Sequence, residues 1–305
     1  MEYIKISGTD LNVSNIVLGC MRLQERTQKE TDELIKESVE MGINYFDHAD
    51  IYGGGKCEEI FGTVLKENPY LRDKIYVQTK CGIRKGFFDF SKEHIINSVE
   101  SSLKRLNTDY IDTLLLHRPE TLCEPEEVCE AFCQLEKQGK VRYFGVSNQN
   151  PMQIELLSKF LPQKIVFNQL QLSLKFTPMI DSGLNVNMEN EAAVNRDGGI
   201  LDYCRLKEIT IQPWSPFQYG FFEGVFLDNE KFPELNKAVD ELCEKYNVSN
   251  TAMAIAWILR HPAKMQPIIG TTNLNRVKDI VKASDIKLTR QEWYKLYLSA
   301  GNILP

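Results

Sequence analysis

Four residues in this chain could together move a proton onto a carbonyl oxygen: Asp47, Tyr52, Lys80 and His117. A free phenol has a pKa of about 10 and is a poor acid at neutral pH. An Asp47–Lys80 ion pair beside the Tyr52 hydroxyl would favour the phenolate and lower that pKa. His117 could then share the proton or hydrogen-bond the substrate oxygen, as a general acid–base partner does. Taken singly, each has an ordinary explanation: a structural ion pair, a core tyrosine, a satisfied histidine. The order D-x-x-x-x-Y, then K, then H, is far more specific than any one of them.

Such a constellation needs a scaffold that brings distant residues to one place. Short, near-continuously apolar runs begin at Ile16 (IVLGCM), Tyr45 (YFDHA), Ile75 (IYVQTK), Ile111 (IDTLLLH), Val141 (VRYFGVS), Ile165 (IVFNQLQL), Thr210 (TIQPWSP) and Pro267 (PIIGT). Runs of that kind read as strands buried on both faces. Between them lie helical patterns: TDELIKESVEMG with Gly42 as its stop, KCEEIFGTVLKE, SKEHIINSVESSLKRL with Ser91 as N-cap, EPEEVCEAFCQLEKQG, PMQIELLSKF opened by Pro151, ILDYCRLK and NRVKDIVKAS.

Eight strands alternating with helices predict an α/β fold, a closed (β/α)8 TIM barrel, as a single domain over 1–305. EYIKI-SGTD-LNVS reads as an N-terminal β-hairpin. Extra helices are expected over about 233–246 and 251–260, and a closing helix in TRQEWYKLYLSAGN. The stretch 172–199 is the one long irregular segment, rich in Asn. A loop of that length either serves the site, by covering a cofactor or shaping the pocket, or is a structural excursion or subunit contact.

Barrel chemistry sits at the C-terminal ends of the strands. There stand Asp47 through Tyr52 (strand two), Lys80 (three), His117-Arg118 (four), Ser147-Asn148 (five), Gln169 (six), Trp214-Ser215 (seven) and Gly270-Thr271-Thr272 (eight). All four proton-handling residues therefore share one rim. His48 should point to the other side of its strand and reads as structural. Asp50 either braces the site or is a surface carboxylate. Gly53-Gly54-Gly55 fits a tight turn, and no G-x-G-x-x-G follows the first strand, which argues against a Rossmann domain.

The 305 residues are 43% hydrophobic and 26% charged, which excludes a disordered or fibrous chain. A net charge of −6 excludes a nucleic-acid footprint. No apolar run approaches the roughly 18 residues of a membrane span. The opening residues lack a signal-peptide pattern, so a cytoplasmic protein is expected. The eight cysteines show no C-x-x-C spacing and no terminal cluster, so neither a zinc ribbon nor an iron–sulfur centre is expected. Cys129 and Cys133 could offer two thiolates to a metal, but read better as small apolar residues. With four histidines, of which only His117 is well placed, a metal hydrolase is disfavoured and no metal site is assigned.

Over essentially its whole length the chain resembles the aldo-keto reductase superfamily. FDHADIYG is similar to the family's strand-two motif, QTK to its strand-three lysine, LLLHRP to its strand-four histidine and GVSN to its strand-five motif. The resemblance implies a tetrad of Asp47, Tyr52, Lys80 and His117, with Tyr52 as general acid in the reduction of an aldehyde or ketone. It implies NADP(H) as cofactor. Ser147, Asn148 and Gln169 would hold the carboxamide, Trp214 would stack on the nicotinamide, and Ser215 and Phe217 would continue towards the pyrophosphate. Gly19, Cys20 and Met21 would contribute from strand one. Gly270, Thr271, Thr272, Arg276 and Asp279 would surround the adenosine end, with Arg276 on the 2′-phosphate. Many members carry Lys where Gly270 stands here. Arg22 and Tyr219 would border a substrate pocket left open by a short C-terminal tail, with Gln218, Phe221 and Phe222 as further wall residues. The expected partner is a small-molecule carbonyl compound, with oligomeric state open and a monomer included. The alternative is a non-catalytic NADP(H)-binding redox-sensing or regulatory subunit, as some superfamily members are. No particular carbonyl compound, and no direction of reaction, is written in these motifs.

Overall fold

A computed structural model describes residues 1–305. Eight strands form one parallel sheet: β1 (Val17–Gly19), β2 (Tyr45–Asp47), β3 (Tyr76–Cys81), β4 (Ile111–Leu116), β5 (Val141–Ser147), β6 (Ile165–Gln171), β7 (Thr210–Trp214) and β8 (Ile268–Ile269). They pair in the order β7-β6-β5-β4-β3-β2-β1-β8. Between β7 and β8 no ladder forms; the Gln266 N–H donates to the Ile211 carbonyl at 3.0 Å and nearly closes the barrel. β4 and β6 are buried at every position, as their unbroken apolar runs require.

The surrounding helices are α1 (Gln28–Glu40), α2 (Lys56–Glu67), α3 (Lys92–Leu106), α4 (Pro125–Lys137), α5 (Pro151–Phe160), α6 (Pro178–Leu184), α7 (Ile200–Leu206), α8 (Pro233–Tyr246), α9 (Asn250–Leu259), α10 (Leu274–Val281) and α11 (Arg290–Ser299). Their ends follow side-chain chemistry. Ser91 accepts the His94 N–H at the start of α3, and Asn150 with Gln153 forms a capping box on α5, whose first residue is proline. The extra helices between β7 and β8, and the closing helix, stand where the sequence placed them.

The N-terminal hairpin pairs Tyr3–Lys5 with Asn12–Ser14. Its Ile6, Leu11 and Val13 pack with Val17, Tyr45 and Ile268, at the starts of β1, β2 and β8. The hairpin thus plugs the barrel at the end opposite the rim.

Two expectations change. The stretch 172–199 is not structureless: it contains α6 and a 3₁₀ turn at Glu191–Ala193, and Asp181 accepts the Tyr297 hydroxyl of α11 at 2.7 Å. A second small hairpin, Ile83–Arg84 with Phe87–Phe88, follows β3. Its turn carries Gly86 at φ 89°, a conformation that favours glycine. All eight cysteines are free, with the Sγ atoms of Cys129 and Cys133 4.0 Å apart. No group of three or more His, Cys, Asp or Glu is arranged to hold a metal. No helix is long and apolar enough to cross a membrane.

Candidate active site

The strand ends open into a cleft of about 1440 Å³. Asp47 is the last residue of β2 and pairs in register with Gln78 of β3, so Lys80 lies two residues further on and presents its side chain to the same face. Tyr52 is carried there by a turn in which Gly53 and Gly54 take φ 58° and 63°. The positive φ at position 53 favours glycine, and a Cβ there would also displace the end of the Gln24 side chain, 2.2 Å away.

Lys80 is fully enclosed. Its Nζ donates to Asp47 Oδ2 at 2.8 Å, to the His48 carbonyl at 2.7 Å and to the Tyr52 hydroxyl oxygen at 3.1 Å. An ammonium has three N–H groups, and these three acceptors use them all. The Tyr52 oxygen is therefore an acceptor on its inner side, and its own proton is free to point into the cleft. One expectation is corrected here. Burial raises the Tyr52 pKa; Lys80 pulls it down and Asp47 pushes it up, and the net shift is upward. Burial sets that direction; within the ion pair itself, Lys80 lowers the pKa more than Asp47 raises it. Lys80 also holds the hydroxyl in one orientation, which is what a proton donor needs. The Lys80 pKa is itself raised: burial opposes the charge, but Asp47 and Tyr52 outweigh it.

The His117 ring stands nearly perpendicular to that of Tyr52, centroids 6.0 Å apart. Burial, with Lys80 and Arg118 nearby, drives its pKa well below the usual histidine range. His117 is thus a neutral imidazole, and its buried Nδ1 has no partner within the protein. His48 packs edge-on against Phe61 with neither ring nitrogen bonded, and burial pushes its pKa down to about 3, in keeping with a structural role. Asp50 is half-buried, and burial together with Glu58 pushes its pKa up to about 6.

Beyond the four, the mouths of β5 to β7 carry a polar chain. Trp214 Nε1 donates to Asn148 Oδ1 at 3.1 Å, Asn148 Nδ2 to Ser147 Oγ at 2.8 Å, and Ser147 Oγ to the Gln169 carbonyl at 3.3 Å. Asn148 and Ser215 both hold positive φ, 58° and 52°. Non-glycine residues in that region are uncommon and gather at functional sites. On the opposite wall, α10 is capped by Asn273, whose side chain accepts the Arg276 N–H at 3.2 Å. A helix start of this kind favours an anion. The Arg276 side chain makes no hydrogen bond or ion pair and lines the cleft with Thr271, Thr272 and Asp279. Gly270 leaves a gap that a neighbouring segment fills: Arg22 Nη1 donates to the Gly270 carbonyl at 3.1 Å, and Arg26 Nε to Thr272 Oγ1 at 3.0 Å. An aromatic face with amide and hydroxyl groups at one end, and a helix start with arginines at the other, fit an extended dinucleotide.

Asp47, Tyr52, His117, Gly19, Met21, Arg22, Ser147, Asn148, Gln169, Trp214, Ser215, Phe217 and Gly270 also line this cleft, with Lys80 directly behind. Two expected residues do not. Cys20 is buried inside the barrel, its Sγ 3.7 Å from the Leu18 carbonyl oxygen. Tyr219 turns instead to Phe232, ring centroids 5.0 Å apart. No residue of 172–199 lines the cleft, and the segment packs on its neighbours, held to α11 through Asp181 and Tyr297. Sequence reasoning missed Gln24, Arg26, Ile83, Phe88 and Arg118 as wall residues. Arg118 lies 5.5 Å from the rings of both Trp214 and Phe221 and has no hydrogen-bonding or acidic partner. Its place beside His117 at a strand end was the available signal. For Phe88 it was the Lys85-Gly86 turn.

An α/β barrel with carboxylate, ammonium, phenol and imidazole gathered at its strand ends can deliver a proton to a molecule held in the cleft. Residues 15–297 match the model of the aldo/keto reductase family. The chain is 37% identical over 97% of both chains to the uncharacterized oxidoreductase YcsN of Bacillus subtilis. It is 35% identical over 98% of both to a 6-dehydroglucose reductase of Agrobacterium fabrum. Among solved structures, the thermostable aldo-keto reductase Tm1743, in complex with the inhibitor epalrestat, superposes with a TM-score of 0.79 at 25% identity, covering 98% of this chain and 100% of that one. The chain belongs to the aldo/keto reductase family, whose members are oxidoreductases that use nicotinamide cofactors.

Proposed function

We propose that the protein is an NADP(H)-dependent reductase that converts an aldehyde or ketone to an alcohol, with Tyr52 as the proton donor. The observation that carries this reading is the complete use of the three Lys80 N–H groups, which leaves the Tyr52 proton free for a group in the cleft. Bound along the cleft, the nicotinamide supplies the hydride. Asp47 keeps Lys80 charged and in place, and Lys80 fixes the phenol and favours the developing tyrosinate as the proton departs. The neutral His117 orients the carbonyl oxygen between itself and Tyr52. Trp214 offers a ring face for stacking, while Ser147, Asn148 and Gln169 offer hydrogen bonds at its edge. Arg276, with Arg22 and Arg26 bonded to the neighbouring Gly270 and Thr272, supports a preference for the 2′-phosphorylated cofactor.

The test is a panel of aldehydes and ketones, with NADPH consumption followed by absorbance and Tyr52→Phe as control. Turnover in the native chain and its loss in the variant are expected. Undiminished turnover in Tyr52→Phe overturns the proton-donor assignment. Cofactor preference is read from the dissociation constants of NADPH and NADH by tryptophan fluorescence.

A further inference from the structure

Barrel interiors are ordinarily filled by layers of branched apolar side chains. Here one layer is made of amides. Gln78, Gln169 and Gln212 are buried, as is Gln266 just before β8. Sheet register sets Gln78 beside Asp47 and Gln169 beside Gln212.

Their hydrogen bonds define a direction. The Ser14 carbonyl, at the plugged end, can only accept, so Gln266 presents Nε2 to it at 2.7 Å. Gln266 Oε1 then faces Gln212 and accepts its Nε2–H at 2.9 Å. Gln212 Oε1 in turn accepts from Gln78 Nε2 at 2.9 Å and from Gln169 Nε2 at 3.0 Å. The second N–H of each of these two amides goes to Asp47 Oδ1, both at 2.7 Å. Gln78 Oε1 is occupied by the Tyr45 hydroxyl at 3.0 Å, beside Thr113 Oγ1 at 2.9 Å. One acceptor is left over: Gln169 Oε1 has no partner in the protein, and Gln169 lines the cleft.

Each amide has two orientations, and the chain allows only one at every step because a backbone carbonyl starts it. Buried amides are costly unless satisfied, and an apolar layer would fill this space at no such risk. We propose that Gln78, Gln212 and Gln266 are positioning residues that act through Gln169 and Asp47: they lock the Asp47 carboxylate towards Lys80 and present Gln169 to the cleft as a hydrogen-bond acceptor. The site then takes a donor, the carboxamide N–H of a nicotinamide, at that position. The inference rests on the reductase reading for the role of Asp47. Its cofactor-binding half can be measured without turnover.

Two variants of Gln212 test it. Gln212→Glu keeps the shape. Protonated, the new acid can still donate to Gln266 and accept from the two amides; ionised, it cannot donate and places a charge one amide from Asp47. Asp47 and Tyr45 are the titratable groups already on this network, with Lys80 bonded to Asp47 and Asp112 close enough to Tyr45 to raise its pKa further. Buried acids titrate late, so the variant-to-native ratio of NADPH affinity, and of kcat, should fall about tenfold as pH rises from about 6 to 9. Gln212→Met should weaken NADPH binding and lower kcat about tenfold at every pH, with KM for the carbonyl compound little changed. A layer that only packs the barrel would lower stability without imposing a new pH dependence. If both variants, folded by near-ultraviolet circular dichroism, keep NADPH affinity and the native pH profile within about twofold, the proposal fails. If Gln212 variants do not fold, Gln266→Glu carries the same test one step further from the site. Loss of the reductase reading would show instead as turnover surviving in Tyr52→Phe, which leaves the NADPH-binding arm unaffected.

Discussion

The two ends of the barrel solve opposite problems with the same eight strands. At the plugged end, Ile6, Leu11 and Val13 of the hairpin bury against Val17, Tyr45 and Ile268, and stability comes from excluded water. At the open end, the chain accepts a buried ammonium, a buried carboxylate, a histidine with an unpartnered nitrogen and four cleft-lining non-glycine residues at positive φ, Asn148, Ser215, Phe222 and Asp228. The unpartnered nitrogen and the positive-φ residues cost stability, and those residues line the cleft. The comparison teaches that the unpartnered imidazole nitrogen belongs to the end with the cleft, while the buried carboxylate at the plugged end, Asp112, is paired with Arg72 and Arg142.

The difference can be broken most sharply at Tyr52. Tyr52→Phe should lower kcat about 10²–10⁴-fold while leaving the melting temperature and NADPH affinity nearly unchanged. At the plugged end the outcome should invert. Leu11→Ala should cost about 2–5 kcal/mol in urea unfolding, and the folded fraction should keep native kcat well below its transition. Equal effects of both variants on kcat would dissolve the division. At the cofactor wall a smaller effect is expected. On the proposed role of Arg276, Arg276→Ala would remove a charge-assisted hydrogen bond to the phosphate worth about 1.5–3 kcal/mol, so NADPH should bind about 10–100-fold more weakly and NADH hardly so. An equal loss for both cofactors would remove Arg276 from the phosphate.

The smallest effect concerns Asp50, behind the rim. Its folded pKa is raised from 3.8 to about 6, chiefly by burial. The fold therefore favours the protonated acid. The stability tied to that proton is fully present below pH 3.8 and is lost as pH rises through about 6. Asp50→Asn should accordingly stabilise the protein by about 2 kcal/mol near pH 8, allowing for partial exposure, and the gain should vanish near pH 4. A gain independent of pH would show that the carboxylate is not strained by burial.

Much of this was legible early because the period of a buried strand is hard to hide. The eight apolar runs, the Ser91 cap and the glycine turn after Asp47 are local signals, and the strand-end residues followed once the barrel was drawn. Several features were not local. Tyr219 lies two residues after Phe217, yet Phe232 draws it away from the cleft. The stretch 172–199 looked irregular because α6 is short and its hold on the fold, Asp181 to Tyr297, spans most of a barrel half. The hairpin after β3 was announced by only one dipeptide, Lys85-Gly86. The direction of the Tyr52 shift depends on the balance between burial and two opposite charges, and no spacing encodes that balance.

By itself, the sequence determined the strand–helix alternation and the residues at each strand end, Asp47, Lys80 and His117 among them, because periodicity, caps and turns are set by neighbours along the chain. Only the tertiary structure decided which N–H of Lys80 meets which acceptor, that Arg22 stands beside the gap at Gly270, and that four glutamines from three strands and the segment before β8 align between Ser14 and Asp47. Those are relations between strands, and barrel closure and register bring their members together across separations of up to 252 positions.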